Sequence, residues 1–277
     1  MPDAALNDLT PETQARWQGL LTRLTDMAPV VVAFSGGVDS ALLCAAAQIA
    51  APGQALAVNV VSPVNPAGED DLARDFAHQI GIAFEALEYD DLQGENFAAN
   101  PPDRCYHCKG TRLRMLQELA DRRGFRTVAE GSNADDRLDY RPGSRAVAEL
   151  GVRSPLAEAG LTKAEIRALA RALGLPVWDR PSAPCLATRF PYGSRITREG
   201  LHQVAEAEAF LQARGFAPLR VRHLGDSARI EIAPADFARL AALHAEVVAH
   251  FRALGFQYVS LDLQGYRMGS LNEVLKR

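Results

Sequence analysis

Val31-Val32-Ala33-Phe34-Ser35-Gly36-Gly37-Val38-Asp39-Ser40 is the stretch that decides the fold of this chain. A short β-branched run breaks at a Gly-Gly pair and opens directly into small residues suited to a helix. Glycines let backbone approach a ligand closely, and the first N–H groups of the following helix have no partner within it. With the helix dipole behind them they favour an anion. Ser35 and Ser40 add hydroxyl donors, and Asp39 is placed to hold Mg²⁺ against phosphates. The spacing fits neither G-x-x-x-x-G-K-[ST] nor G-x-G-x-x-G, which disfavours a kinase-type loop and a dinucleotide fold.

Outward from this loop, β-branched runs alternate with helical periodicity. Strands are expected at 30–34, 55–61, 83–89 and 127–130, and helices at 11–27, 40–49, 68–80, 106–123 and 163–173. That alternation predicts an α/β fold with a doubly wound parallel sheet covered on both faces. Residues 180–196 carry several Pro and Gly and little periodicity, so they are expected to form an active-site loop. A helix at 199–214, strands at 218–224 and 229–232, a helix at 236–254 and a strand at 258–263 predict a smaller α+β domain. The expected organisation is therefore 1–179, 180–196 and 197–277.

Composition sets the remaining bounds. At 277 residues, 48% hydrophobic and 23% charged, the chain has the make-up of a globular protein, and its net charge of −4 gives no general attraction to nucleic acid. No apolar run approaches the ~20 residues that span a bilayer. Residues 1–26 lack the basic start and apolar stretch of a signal peptide, so a cytoplasmic location is expected.

Four cysteines in such a chain suggest reactivity or metal binding rather than a disulfide framework. Cys44 lies in the apolar run Ala41–Ala45 and is expected in the core. Arg104-Cys105-Tyr106-His107-Cys108-Lys109 puts two thiols on one turn, which alone fits half a zinc site, a redox dithiol or coincidence. No second C-x-x-C or C-x-x-H completes a zinc site. Cys185, in Pro184-Cys185-Leu186-Ala187-Thr188-Arg189, supplies a third thiol. Three thiolates fit a 4Fe–4S cluster with one iron open to a non-protein ligand such as sulfide.

The loop Ser35–Ser40 resembles the SGGxDS pyrophosphate (PP) loop of N-type ATP pyrophosphatases, adenine nucleotide alpha hydrolase-like enzymes that cleave ATP between its α and β phosphates. Lys163 resembles a second phosphate contact of such enzymes. Further matches are Asn100 with Arg104–Lys109, Glu130-Gly131-Ser132-Asn133-Ala134-Asp135-Asp136, Asp139-Tyr140-Arg141-Pro142-Gly143, Pro184–Gly193, Arg220-Val221-Arg222-His223 and Ala228-Arg229-Ile230-Glu231. With these, nearly the whole chain resembles the LarE family of ATP-dependent sulfur transferases, which serve synthesis of the nickel-pincer nucleotide cofactor of lactate racemase.

The resemblance implies adenylation of a carboxylate of pyridinium-3,5-biscarboxylic acid mononucleotide, releasing pyrophosphate, then displacement of AMP by sulfur to give a thiocarboxylate. Ser35, Gly36, Gly37, Asp39, Ser40 and Lys163 would bind ATP, with Asp39 and Glu130 in catalytic roles. Arg189, Arg220, Arg222 and Glu208 would meet the substrate, since guanidinium pairs with phosphate and carboxylate in bidentate fashion. In single-cysteine members the residue matching Cys185 gives up its own sulfur. Here Cys105, Cys108 and Cys185 together imply a 4Fe–4S cluster as the sulfur source, in a homo-oligomer such as a hexamer. Thr188 stands where serine is usual, and Glu130 and Ser132 replace Asp and Thr. The alternatives are a cluster-dependent tRNA thiolation enzyme, which would need a basic surface, an ammonia-using ligase with the same loop, and a non-catalytic ATP- or cluster-binding protein.

Overall fold

The structure is a computed structural model that describes residues 2–138 and 142–276. The expected motif residues Asp139, Tyr140 and Arg141 lie outside the described residues. The chain divides into two compact units.

The first unit comprises residues 1–62, 67–89 and 105–183. Its sheet has four parallel strands, β1 (Val30–Ala33), β2 (Ala55–Val61), β3 (Ala83–Glu88) and β4 (Thr127–Ala129), in the order β3-β2-β1-β4. Both faces of β1 are buried, which is why it is written as an unbroken run of valines. Val30 and Val32 point into one core with Leu20, Leu24, Leu42, Leu43, Ile166 and Leu169 from the helices Pro11–Met27, Val38–Ala50 and Lys163–Ala172. Val31 points into the other, with Leu56, Val58 and Leu113, Leu116 and Leu119 of the helix Arg104–Arg123. This is the predicted doubly wound α/β architecture.

The strand order fixes where a ligand can go. From β1 the chain runs to β2 on one side, and β4 later returns to the other side, so the strand order reverses at the carboxyl end of β1. In open α/β sheets that switch point opens the crevice that takes ligands, and here it is the start of the Ser35–Ser40 loop. Cys44, one turn farther along the helix, is fully buried in the first core, and burial pushes its thiol pKa far up. It serves as a small hydrophobe.

The second unit comprises residues 63–66, 90–104 and 184–277. Its sheet pairs β5 (Leu219–Leu224) antiparallel with β6 (Ser227–Ile232), and β6 parallel with β7 (Tyr258–Leu261). The helix Arg198–Gln212 contributes Ala207 and Leu211 to a core with Phe216, Val221, Ile230, Phe251 and Phe256. The expected helix at 236–254 is interrupted at Leu243 into Phe237–Ala242 and His244–Ala253. Segments 63–66 and 90–104, which the sequence reading places inside the first domain, fold with the second unit. Hydrogen bonds explain this: Leu186 donates its N–H to Val64 O, Gly193 to Asn100 O and Ile196 to Ala98 O.

Candidate active site

The phosphate loop is built as its residue types demand. Gly36 has φ +75°, and a Cβ there would come within 3.3 Å of Ala73 Cβ, so both conformation and space call for glycine. Gly37 caps the helix Val38–Ala50 without any side-chain hydrogen bond to its first N–H groups. Ser40 Oγ donates to Gly37 O at 3.1 Å and accepts from Ser35 N–H at 3.3 Å, with Ser35 Oγ 3.2 Å away. The result is a closed loop with open amides at a helix start, suited to an anion.

Asp39 lies on the first turn of that helix. Its carboxylate accepts from Lys163 Nζ at 2.5 Å and from Asn133 Nδ2 at 3.4 Å. Lys163 is the first residue of a helix held by a capping box between Thr162 and Glu165, and its N–H donates to Asp135 Oδ2 at 2.8 Å. The structure thus joins Asp39 and Lys163, residues 124 apart in sequence, as one ion pair beside the loop. Gly131 closes the wall: a Cβ there would stand 3.1 Å from Ser40 N and 3.3 Å from Ser40 Cα. Bare helix-start amides, hydroxyls, a lysine and a carboxylate within this wall fit the phosphates of ATP and a Mg²⁺ ion.

Glu130 follows β4 and is 4% exposed. Its oxygens accept from Lys109 Nζ at 2.7 Å, Ser132 Oγ at 2.9 Å, Ser132 N–H at 3.1 Å and Ser154 Oγ at 2.5 Å. Burial acts to raise its pKa, but Lys109 and the two serine hydroxyls outweigh it and leave the carboxyl below its ordinary value. It is therefore a fully solvated-by-protein carboxylate rather than an open base. Lys109 follows Cys108 directly, so Glu130 tethers the turn that carries both thiols.

That turn is the start of the helix Arg104–Arg123, with Cys105 exposed and Cys108 half-buried. Tyr106, between them, donates its hydroxyl to Glu149 Oε2 at 2.6 Å, and the Arg145 guanidinium lies 3.7 Å from its ring centre. Two thiols three residues apart on one turn suit a shared metal or cluster. Within neither unit do the described residues contain a group of three or more His, Cys, Asp or Glu side chains arranged to hold a metal ion. The first unit thus supplies two thiols, and Cys185 belongs to the second.

Cys185 is half-buried and caps the short 3-10 helix Leu186–Arg189. Arg189, 2% exposed, donates to both oxygens of Glu208 at 3.0 and 2.7 Å. Its third nitrogen reaches Pro184 O at 2.8 Å, Thr188 Oγ1 at 3.0 Å and Cys185 O at 3.2 Å. Arg222 is bidentate on Glu231 at 2.9 and 2.8 Å and donates to Thr188 O at 2.7 Å. Arg220 differs. Its side chain makes one hydrogen bond among the described residues, to the adjacent Leu219 O at 2.6 Å, and its guanidinium lies 5.4 Å from the Tyr266 ring centre. Burial, then the nearby Arg189, lowers its pKa, against the pull of Glu208.

The sequence-predicted residues therefore form groups within each unit. Ser35–Ser40 and Lys163 adjoin, Glu130 joins the Cys105–Cys108 turn through Lys109, and Arg189, Arg220, Arg222 and Glu208 surround the Cys185 loop. Ser154 and Tyr266 escaped sequence reasoning as members of these groups, whereas Lys109 and Glu231 stood in it only as parts of the motifs Arg104–Lys109 and Ala228–Glu231, with no partner assigned.

A glycine loop of this build at the switch point of a doubly wound sheet defines an ATP-handling α/β enzyme of the PP-loop class. A family model described as asparagine synthase matches residues 20–121, the part that contains the loop. The chain is 36% identical over 259 residues to the pyridinium-3,5-bisthiocarboxylic acid mononucleotide synthase of Lactiplantibacillus plantarum, covering 93% of this chain and 94% of that one. It is 44% identical over 250 residues to the uncharacterized protein slr1717 of a Synechocystis strain, covering 89% and 93%. A tRNA(Ile)-lysidine synthase of Salinispora arenicola is 31% identical over 181 residues, covering 58% of this chain and 53% of its own. The chain belongs to the LarE family of adenylating sulfur transferases.

Proposed function

We propose that this protein adenylates a carboxylate of pyridinium-3,5-biscarboxylic acid mononucleotide and converts it to a thiocarboxylate, for synthesis of the nickel-pincer nucleotide cofactor of lactate racemase. The observation that carries the reading is kinship to a synthase of the bisthiocarboxylic product along nearly the full length of both chains. Two features support it, each within its own unit: an ATP-type anion loop in the first and, in the second, a cysteine loop held by arginines.

In this reading Ser35, Gly36, Gly37 and Ser40 bind the pyrophosphate of ATP through backbone amides and hydroxyls. Asp39 would hold Mg²⁺, which would offset phosphate charge, and Lys163, its partner in the ion pair, would then be free to face a phosphate. A carboxylate oxygen of the substrate attacks the α phosphorus and pyrophosphate leaves, so the carboxyl oxygen becomes part of a good leaving group, AMP. Arg220 pairs with the substrate phosphate or its second carboxylate. Arg189 and Arg222, occupied by Glu208 and Glu231, hold the Cys185 loop through its backbone carbonyls. Glu130 keeps Lys109 beside the cysteine turn, where the ammonium offsets charge as sulfur attacks.

Cys105, Cys108 and Cys185 would hold a 4Fe–4S cluster, which would supply a transferable sulfide and spare Cys185 its own sulfur. Among the described residues no helix is long and apolar enough to cross a membrane. A cytoplasmic homo-oligomer is part of the proposal on the family resemblance alone.

Incubation with ATP, Mg²⁺ and the biscarboxylic mononucleotide tests the reading. AMP, pyrophosphate and a product in which sulfur has replaced oxygen should form together, and Cys185→Ala should release pyrophosphate without forming that product. Failure of the wild-type protein to release pyrophosphate in the presence of this substrate would overturn the assignment.

A further inference from the structure

Asn100 and Arg104 are wholly buried polar residues that the proposed chemistry does not use, at 0% and 2% exposure. Asn100 is the non-glycine residue with positive φ, +56°, among the described residues. Asparagine tolerates that conformation better than most residues, yet it still has a cost that something must offset. What it gains is on the page. The left-handed turn aims Nδ2 at the loop after Cys185, where it donates to Pro191 O at 2.7 Å, Ser194 O at 3.1 Å and Phe190 O at 3.4 Å. Its own carbonyl accepts from Gly193 N–H at 2.8 Å.

Arg104 completes the clamp. It donates to Asn100 Oδ1, which fixes the amide's orientation, and to Ala187 O at 3.1 Å. The Phe97 and Tyr192 rings lie 6.0 and 5.8 Å from its guanidinium carbon, a cation–π surround that suits a buried cation. No carboxylate is paired with Arg104 in the second unit among the described residues, so its charge is directed at the Asn100 amide oxygen and the Ala187 carbonyl. With Arg189 on Pro184 and Cys185 and Arg222 on Thr188, guanidinium groups thus take up the carbonyls of Pro184, Cys185, Ala187 and Thr188. A surface loop would leave these groups to water; here they are fixed by buried donors on rigid elements.

We infer that Asn100 and Arg104 are positioning residues for Cys185. They lock the loop 184–196 so that the thiol is presented in one geometry for sulfur transfer, although neither touches the sulfur. The inference rests on the reading that Cys185 takes part in that transfer. Sulfur displaces AMP by adding to the carboxyl carbon and then expelling AMP, which needs the sulfur held close to that carbon at the angle of attack, and loss of such alignment lowers rate without changing the chemistry available.

Two variants separate the clamp from general folding. Asn100→Gly keeps the positive φ and the carbonyl that Gly193 uses while removing the three amide donations. Arg104→Lys keeps the charge and removes the guanidinium Nη1 that donates to both Asn100 Oδ1 and Ala187 O. In both, ATP-dependent pyrophosphate release should stay within about twofold of wild type, while thiocarboxylate formed per AMP falls roughly ten- to hundredfold. Independently of turnover, iodoacetamide should label Cys185 about fivefold faster in both variants on cluster-free protein, as local opening of the loop becomes easier. Labelling of Cys105 and Cys108 in the same samples should be unchanged. Unchanged Cys185 labelling, or loss of pyrophosphate release in proportion to sulfur transfer, would overturn the inference. A wild-type protein that forms no thiocarboxylate while Cys185 labelling still rises in the variants would sink the proposed function and leave the positioning intact.

Discussion

Gly131→Ala probes the wall of the ATP site with a single methyl group. The added Cβ would sit 3.1 Å from Ser40 N, 3.3 Å from Ser40 Cα and 3.4 Å from the Asp39 carbonyl carbon. All three are backbone atoms of the first helical turn, so no side chain can swing aside. Either the strand-end loop 130–132 or the phosphate loop must move by a few tenths of an ångström. Overpacking of this kind costs roughly 1–3 kcal/mol, and in a chain of this size each kcal/mol lowers Tm by about 2–4 °C. Gly131 lies outside the positive-φ region that favours glycine, so the cost comes from the close contacts. Gly110, inside the helix Arg104–Arg123, makes the control: a Cβ there meets nothing closer than 3.8 Å. Gly110→Ala should be stabilising by about 0.4–1 kcal/mol through helix propensity and the unfolded chain. Thermal melts with and without ATP provide the assay. Gly131→Ala should melt lower than wild type and lose most of the ATP-induced rise, whereas Gly110→Ala should melt higher and keep it. Equal melting and equal ATP response in Gly131→Ala would refute the claim that the Gly131 wall touches the phosphate loop.

Arg220 and Arg222 should separate cleanly although they are two residues apart. Arg220→Ala should raise KM for the mononucleotide with little loss of stability, while Arg222→Ala leaves the buried Glu231 with Arg229 as its ion-pair partner and should cost up to about 3 kcal/mol in denaturant titration. Glu130 gives a pH signature. Its folded pKa lies below its unfolded one, so its contribution is complete above the ordinary glutamate value of about 4.3 and is lost as pH falls toward the lowered folded value. Glu130→Gln should therefore flatten the acid limb of the stability–pH curve and leave its shape near neutrality unchanged.

Much of this organisation was legible in the sequence because the signals were local. The valine run of β1, the glycines of Ser35–Ser40 and the Thr162–Glu165 cap each specify their own geometry, and alternation of strands with helices is enough to predict a doubly wound sheet. Long-range pairings were not legible. Nothing near Asn100 announces that its amide serves carbonyls ninety residues on, which is why 90–104 was expected with the ATP domain. The arginines show the same limit: sequence marks them as anion binders, but it cannot show that Glu208 and Glu231 occupy two of them and leave Arg220 less engaged. Leu243 interrupts the expected 236–254 helix without any Gly or Pro to mark the break.

The central claim is that sulfur passes to an adenylated carboxylate at Cys185, with Cys105 and Cys108 making the delivery repeatable. Counting thiocarboxylates formed per chain, by mass spectrometry on anaerobically purified protein with sulfide supplied, tests it most directly. The account predicts more than one product per chain, an intact Cys185, and iron lost when Cys105, Cys108 or Cys185 is replaced by alanine. At most one product per chain, with Cys185 having lost the elements of H₂S, would contradict the cluster route.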